Sequence, residues 1–305
     1  MSDVELPESV RLETGPGASP VVRVDGPDGW AEVHLHGAHV TAWGPRGESS
    51  ALWLSPLSSF DADTAIRGGI PLCFPWFGPL AGHPDAPRHG LGRTALWTLD
   101  GAEPVGRDVV VRLRLSDDAS TRASAWPDPF DAVCTVTVGR HLTVALEFTH
   151  RGSGPVRLEG ALHTYLAVDD VTAVEIDGLA GVELVDRTAD GARTAGVDGP
   201  LHIVGEVDRI YLDTTAPVSV RDVDGGVDGR QVTVAKSGSS TTVVWNPGTD
   251  AARATADIGD GGWRGFVCVE ASNVGSAAIP LAPGATHILS STLTVAQSTG
   301  LPTAR

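Results

Sequence analysis

The chain has 305 residues, about two-fifths hydrophobic and a fifth charged, which is the composition of a globular protein with enough apolar material for a sizeable core. A formal net charge of −16 and a single lysine, Lys236, exclude a polybasic grip on phosphate backbones or anionic lipid, so neither nucleic acid nor membrane is an expected partner. Met1 to Val10 does not read as a secretory signal, and no apolar run approaches the roughly 20 residues of a membrane helix. Cys73, Cys134 and Cys268, without a Cys-x-x-Cys pair, read as reduced and buried, so the expectation is a cytoplasmic protein.

In chain order, the first notable run is His34-Leu35-His36-Gly37-Ala38-His39. His34 and His36 share one side of a strand; with no cysteine beside them they read as an exposed strand face in preference to a metal site. From Val109 to Leu115 the odd positions are apolar while Arg112 and Arg114 fall on the other face, a strand period. Cys134, Val136 and Val138, then Leu142, Val144, Leu146 and Phe148, alternate around Gly139-Arg140 and predict a hairpin. Gln231 to Ala235 and Thr241 to Trp245 predict a second hairpin across Ser237 to Ser240, and a last strand runs from about Thr286 to Val295. Ser116 to Phe130 and Thr249 to Gly262 read as loops. With 37 glycines and 21 prolines closing these runs, the expectation is an all-β protein. A large antiparallel β-sandwich fits best, a single domain over residues 1–305 with its core at about 20–297.

Five segments carry more polar chemistry than a plain strand needs. They are Arg67-Gly68-Gly69-Ile70-Pro71-Leu72-Cys73-Phe74-Pro75-Trp76-Phe77-Gly78, His89-Gly90-Leu91-Gly92-Arg93, Ala161-Leu162-His163-Thr164-Tyr165, Val207-Asp208-Arg209-Ile210-Tyr211, and Gly265 to Asn273 with Glu270 near the end of an apolar strand. The paired glycines after Arg67 read as a place where backbone comes close to a ligand. Each segment has a plain alternative. A single His or Glu in a strand is more often a half-buried residue satisfied by backbone, and Asp208-Arg209 reads equally as an edge ion pair worth under about 1 kcal/mol.

Together the strings RGGIPLCFPWFGP, HGLGR, ALHTYL, DRIYL, VVWNPG and FVCVEASN, in this order, resemble the hexose-6-phosphate mutarotases (glucose-6-phosphate 1-epimerases) of the aldose 1-epimerase superfamily. The resemblance covers about residues 30 to 295. It implies a galactose mutarotase-like β-sandwich with a cleft on one face and a cofactor-independent interconversion of sugar anomers. It also implies His163 as general acid and Glu270 as general base, with Arg67, Trp76, Arg93 and Asp208 at substrate-binding positions and His89 as a second histidine near the sugar. His-Gly-Leu-Gly-Arg departs from the Phe-Ala expected before the arginine but keeps both polar ends.

These residue types suit that reaction. Opening a pyranose ring takes a proton from the C1 hydroxyl and gives one to the ring oxygen, tasks for a carboxylate and an imidazole near neutral pH. No electron or group is transferred, so no metal or other cofactor is expected. Arg67 and Arg93 offer planar charged forks for a 6-phosphate, and Trp76 offers a flat face for the sugar's C–H surface. The expected partner is therefore a small sugar phosphate, and the chain itself a monomer or weak homodimer. A glycoside hydrolase would need paired carboxylates about 5–10 Å apart, and Glu147, Glu159 and Glu175 stand in no such motif. A sugar-binding module of the same fold would not need both His163 and Glu270.

Overall fold

Alternating valines build the frame. The computed structural model describes residues 5–189, 191–222 and 230–297. Strands Phe130–Val138 and His141–His150 form the first expected hairpin, with Val138 opposite Leu142. Phe130–Val138 buries every second residue, because one face meets the core while Thr135 and Thr137 lie on the other. This hairpin belongs to an eight-stranded antiparallel sheet. Its order is Val174–Asp177, Val218–Asp222, Arg230–Ser237, Thr286–Gln297, His141–His150, Phe130–Val138, Asp108–Ser116 and Thr98–Val105.

A second eight-stranded sheet runs Ala192–Thr194, Leu184–Asp186, Val207–Tyr211, Thr241–Asn246, Phe266–Asn273, Gly160–Leu162 and Leu72–Cys73, with Tyr165–Ala167 also paired to Phe266–Asn273. Four further strands, Val10–Thr14, Pro20–Asp25, Gly29–His34 and His39–Pro45, make a smaller sheet. A two-stranded pair, Val156–Leu158 with Ile279–Leu281, completes the set, and buried side chains of all four sheets merge into one apolar cluster from Val10 to Val295. Within it Phe74 meets Trp97, Phe130 and Phe148 edge-on, at 5.9–6.1 Å between ring centres, pairings worth about 0.5–1.5 kcal/mol each beyond the area they bury. The architecture is the antiparallel sandwich that the alternation predicts.

The second expected hairpin is not one. Arg230–Ser237 pairs with Val218–Asp222 and Thr286–Gln297 in the first large sheet, whereas Thr241–Asn246 pairs with Val207–Tyr211 and Phe266–Asn273 in the second. The chain crosses between sheets at Gly238 to Ser240. There Ser239 Oγ lies 2.9 Å from both Thr241 O and Ser272 O, to either of which its hydroxyl can donate, and Lys236 Nζ donates to Thr241 O at 2.6 Å. A short polar connection fits a turn and a crossing equally well, since alternation specifies faces and leaves the partner open.

Two further expectations need correction. The stretches 116–130 and 249–262 carry short helices, Ala119–Arg122 and Gly248–Ala254, too brief to show a helical period. His34 and His36 are buried under Phe60 and the segment before Arg67, not on an exposed face, and His39 is buried as well. His36 Nε2 meets Thr64 O at 2.8 Å and His39 Nε2 meets Gly68 O at 2.7 Å. Among the described residues these three histidines form no metal-ligand cluster.

Candidate active site

Strand Phe266–Asn273 is buried along its whole length and hydrogen-bonded on both sides. Phe266, Val267, Cys268, Val269 and Ala271 all join the apolar cluster, and strand alternation places Val267, Val269 and Ala271 on one face and Cys268, Glu270 and Ser272 on the other. On that face opens a cavity of about 240 Å³ lined by Arg67, Arg88, His89, Arg93, Arg187, His163, Asp208 and Glu270, with Phe77, Trp245, Val243 and Thr255 completing the wall. Four arginines thus converge in a chain whose net charge is −16.

His163 stands where the ladder breaks between Gly160–Leu162 and Tyr165–Ala167. Its backbone N–H donates to Pro71 O at 3.0 Å, and its ring stacks on Tyr165 with centroids 4.9 Å apart. Its Nδ1 lies 3.4 Å from Glu270 Oε1 without the alignment of a hydrogen bond. His163 Nδ1, both Glu270 oxygens and Arg93 Nε are buried and have no hydrogen-bond partner. Orphaned buried polar atoms cost about 1–3 kcal/mol each, so such a cluster marks a place kept for something other than stability.

Burial pushes the Glu270 carboxyl well above its ordinary range, and the nearby Asp208 charge adds to this while Arg187 and Arg93 oppose it. Burial likewise drives His163 well down, helped by His89, Arg93 and Arg67. Both directions favour a neutral pair, with the proton on the carboxyl. His89 has a left-handed φ of 64°, a conformation costing on the order of 1 kcal/mol or more that recurs at functional sites. Its Nδ1 accepts the Gly78 N–H at 3.3 Å, which leaves Nε2–H as a donor. Burial and the surrounding arginines lower its pKa to about 2, so it stays neutral.

Arg67 is fixed at the wall. Its Nε donates to Asp257 at 3.0 Å and its Nη1 to Tyr165 OH at 2.9 Å. The glycines behind it serve a different closeness from the one expected. A Cβ at Gly69, whose φ is +61°, would stand 2.2 Å from Val40 O, so the loop presses on the protein's own backbone and not on a ligand. Arg187 Nε sits 3.5 Å from Asp208, and its guanidinium lies 5.7 Å over the Phe77 ring. Burial raises the Asp208 pKa, against the pull of Arg187 and Arg88. Arg209 pairs with Asp186 at 3.0 Å, so Asp208-Arg209 is not an ion pair.

Of the seven site residues expected from the sequence, the cleft gathers Arg67, His89, Arg93, His163, Asp208 and Glu270. Trp76 stands outside it. Its indole turns away and donates to Pro87 O at 3.0 Å, beside a separate surface depression, and the adjacent Phe77 faces the cleft instead. Glu159 explains part of that exchange, since its carboxylate accepts the Phe77 N–H at 2.9 Å. Sequence reasoning also missed Arg88, Arg187, Trp245 and Thr255. Phe77, Arg88 and Trp245 lie within or directly beside strings already singled out, whereas Arg187 and Thr255 follow no motif. His163, Cys268 and Glu270 bring one ligand atom each within 4.8 Å of one another, the one such cluster among the described residues. Cys73, Cys134 and Cys268 are free thiols, all buried.

Comparison with known proteins adds four findings. The family model described as aldose 1-epimerase matches residues 20–294. A protein of Escherichia coli (strain K12), provisionally named glucose-6-phosphate 1-epimerase, is 33% identical over 250 residues, 82% of each chain. A provisionally named glucose-6-phosphate 1-epimerase of Cenchrus ciliaris is 30% identical over 263 residues, 83% of this chain and 78% of the other. Among solved structures, that of a provisionally named mutarotase from Salmonella typhimurium superposes with a TM-score of 0.87 over 96% of both chains, at 29% identity.

Proposed function

The chain belongs to the aldose 1-epimerase family and is an isomerase of that kind, and we propose that it interconverts the α and β anomers of a hexose 6-phosphate, glucose 6-phosphate foremost, with Glu270 and His163 as its acid–base pair. The observation that carries this reading is the pair itself: 3.4 Å apart, buried, and without hydrogen bonds on the atoms that would exchange protons.

Ring opening moves one proton from the C1 hydroxyl to a base and another from an acid to the ring oxygen; closure on the other face of the aldehyde reverses both. With Glu270 as base and His163 as acid, the ring form goes with a charged pair and the open-chain aldehyde with a neutral one. Burial favours the neutral pair, so substrate hydroxyls and the guanidinium groups of Arg93 and Arg187 must restore the carboxylate when a closed ring binds. His89, neutral and with Nε2–H free to donate, orients a sugar oxygen and carries no proton through the cycle. Trp245 and Phe77 supply the apolar wall first expected of Trp76.

Arg67 and Arg93 are the proposed phosphate readers. Arg67 is pre-oriented by Asp257 and Tyr165, and Arg93 keeps a buried Nε unpaired, so little side-chain freedom is lost when an anion arrives. The test is to follow relaxation of freshly dissolved α-glucose 6-phosphate by NMR or polarimetry against buffer, and to repeat it with glucose and galactose. Strong acceleration of the phosphate and weak acceleration of the free sugars is expected. Equal acceleration removes the phosphate assignment, and no acceleration of any sugar leaves a carbohydrate-binding module of this fold.

A further inference from the structure

Behind the cleft wall, close to the acid–base pair, lies a third potential ligand that does not itself line the cavity. Cys268 lies two residues before Glu270 on the same strand, hence on the same face, and it is fully buried beside His163. One ligand atom from each of His163, Cys268 and Glu270 falls within 4.8 Å of the others. Tetrahedral zinc with bonds of about 2.0–2.3 Å requires its ligand atoms to stand roughly 3.3–3.6 Å apart. The His163–Glu270 separation of 3.4 Å already meets this, and the widest separation must close by about 1 Å, within reach of side-chain rotation. His163 Nδ1 and both Glu270 oxygens are buried and unpartnered, so no protein hydrogen bond has to be broken for them to bind a cation.

We infer that His163, Cys268 and Glu270 form an inhibitory site for a borderline-soft divalent cation, zinc above all. One thiolate, one imidazole and one carboxylate suit zinc and disfavour magnesium or calcium, which want all-oxygen shells. Binding releases the Cys268 thiol proton and the Glu270 carboxyl proton to buffer, and the bound ion with its two anionic ligands is neutral overall. That removes the charge penalty of a buried cation. Inhibition follows because the ion occupies the lone pairs used for proton exchange; this consequence rests on the acid–base reading, whereas binding does not.

The test uses the full chain, freed of metal with a chelator. Titration with Cd²⁺, whose bond to a thiolate gives an ultraviolet charge-transfer band, is expected to reach its endpoint at about one ion per chain. The band should survive Cys73→Ala and vanish in Cys268→Ala and Cys268→Ser, the serine variant guarding against loss of packing. In the anomerisation assay, Zn²⁺ should inhibit the wild type. Both Cys268 variants, keeping their metal-free rate, should need at least about tenfold more Zn²⁺, since losing even a group that merely supports a ligand costs 10–100-fold in affinity. No band in the wild type, or a band that persists without Cys268, overturns the site. A protein that fails to anomerise any sugar without metal removes the functional reading, while the cadmium band still decides the site.

Discussion

Phe130–Val138 and Phe266–Asn273 are strands of nine and eight residues in sheets of equal strand number, yet they handle burial in opposite ways. The first is one-sided: alternate residues enter the core, and Asp131, Val133, Thr135 and Thr137 stay half-buried on the other face. The second is buried at every position, so its polar residues must find partners inside the protein. Ser272 and Asn273 do. Ser272 Oγ shares a hydrogen bond with Thr241 Oγ1 at 2.8 Å, Asn273 Nδ2 donates to Gly238 O at 2.6 Å, and Asn273 Oδ1 accepts the Ser240 N–H at 3.0 Å. Glu270, on the same strand and just as deep, has none. A buried polar group that its neighbours satisfy is architecture; one that they leave unsatisfied beside a cavity is a candidate for chemistry.

The largest expected effect breaks that contrast at its centre. Glu270→Gln keeps the shape of the side chain and removes only its transferable proton, so turnover should fall by about 10²–10⁴-fold. Melting temperature should change little, because burial disfavours the charged carboxylate and the neutral amide has nearly the same shape. A variant that retains most of its rate would remove Glu270 from the reaction. The same burial fixes a pH signature. The active pair holds one proton, and a second enters only when His163 is protonated as well. Since the His163 pKa is lowered from 6.5, the acid limb of kcat/KM should lie below pH 6.5, with activity holding as pH falls through that value. An acid limb at or above 6.5 would contradict it.

In the one-sided sheet the loss should appear in stability instead. Leu142 is fully buried, and Leu142→Ala should cost about 2–5 kcal/mol in chemical unfolding while the rate per folded molecule is kept. A variant that loses rate but no stability would make that sheet part of the site. Smaller in effect, Arg93→Ala should lower kcat/KM for glucose 6-phosphate by at least roughly tenfold, about 1.4 kcal/mol, and change activity on free glucose far less. Equal losses on the two sugars would assign Arg93 to the ring or the fold. Least of all, Thr135→Val on the outer face of Phe130–Val138 should shift stability by no more than about 0.5 kcal/mol and leave the rate alone. A shift several times larger would mean that this face is not plain solvent-facing surface.

How much of this was readable along the chain follows from the same contrast. Alternation in 109–115, 134–138 and 142–148 is local, so it places strands and their inner faces, and enough such strands with their glycines and prolines imply the sandwich. The strings around Arg67, His89, His163, Asp208 and Glu270 could be picked out because they interrupt that pattern with groups a plain strand does not need. What covers a strand's second face, and which strand lies beside it, depends on residues far away in sequence. Hence Gln231 to Ala235 and Thr241 to Trp245 read as strands but not as members of different sheets, and His34 and His36 read as an exposed face although the segment carrying Phe60 and Thr64 covers them. The choice of Phe77 over its neighbour Trp76 for the cleft wall, and the arrival of Arg187 from the end of a distant strand, belong to the same class. The first is settled in part by a long-range hydrogen bond, from the Phe77 N–H to the Glu159 carboxylate, which leaves no period in the sequence, because its partners meet only once the sheets have packed.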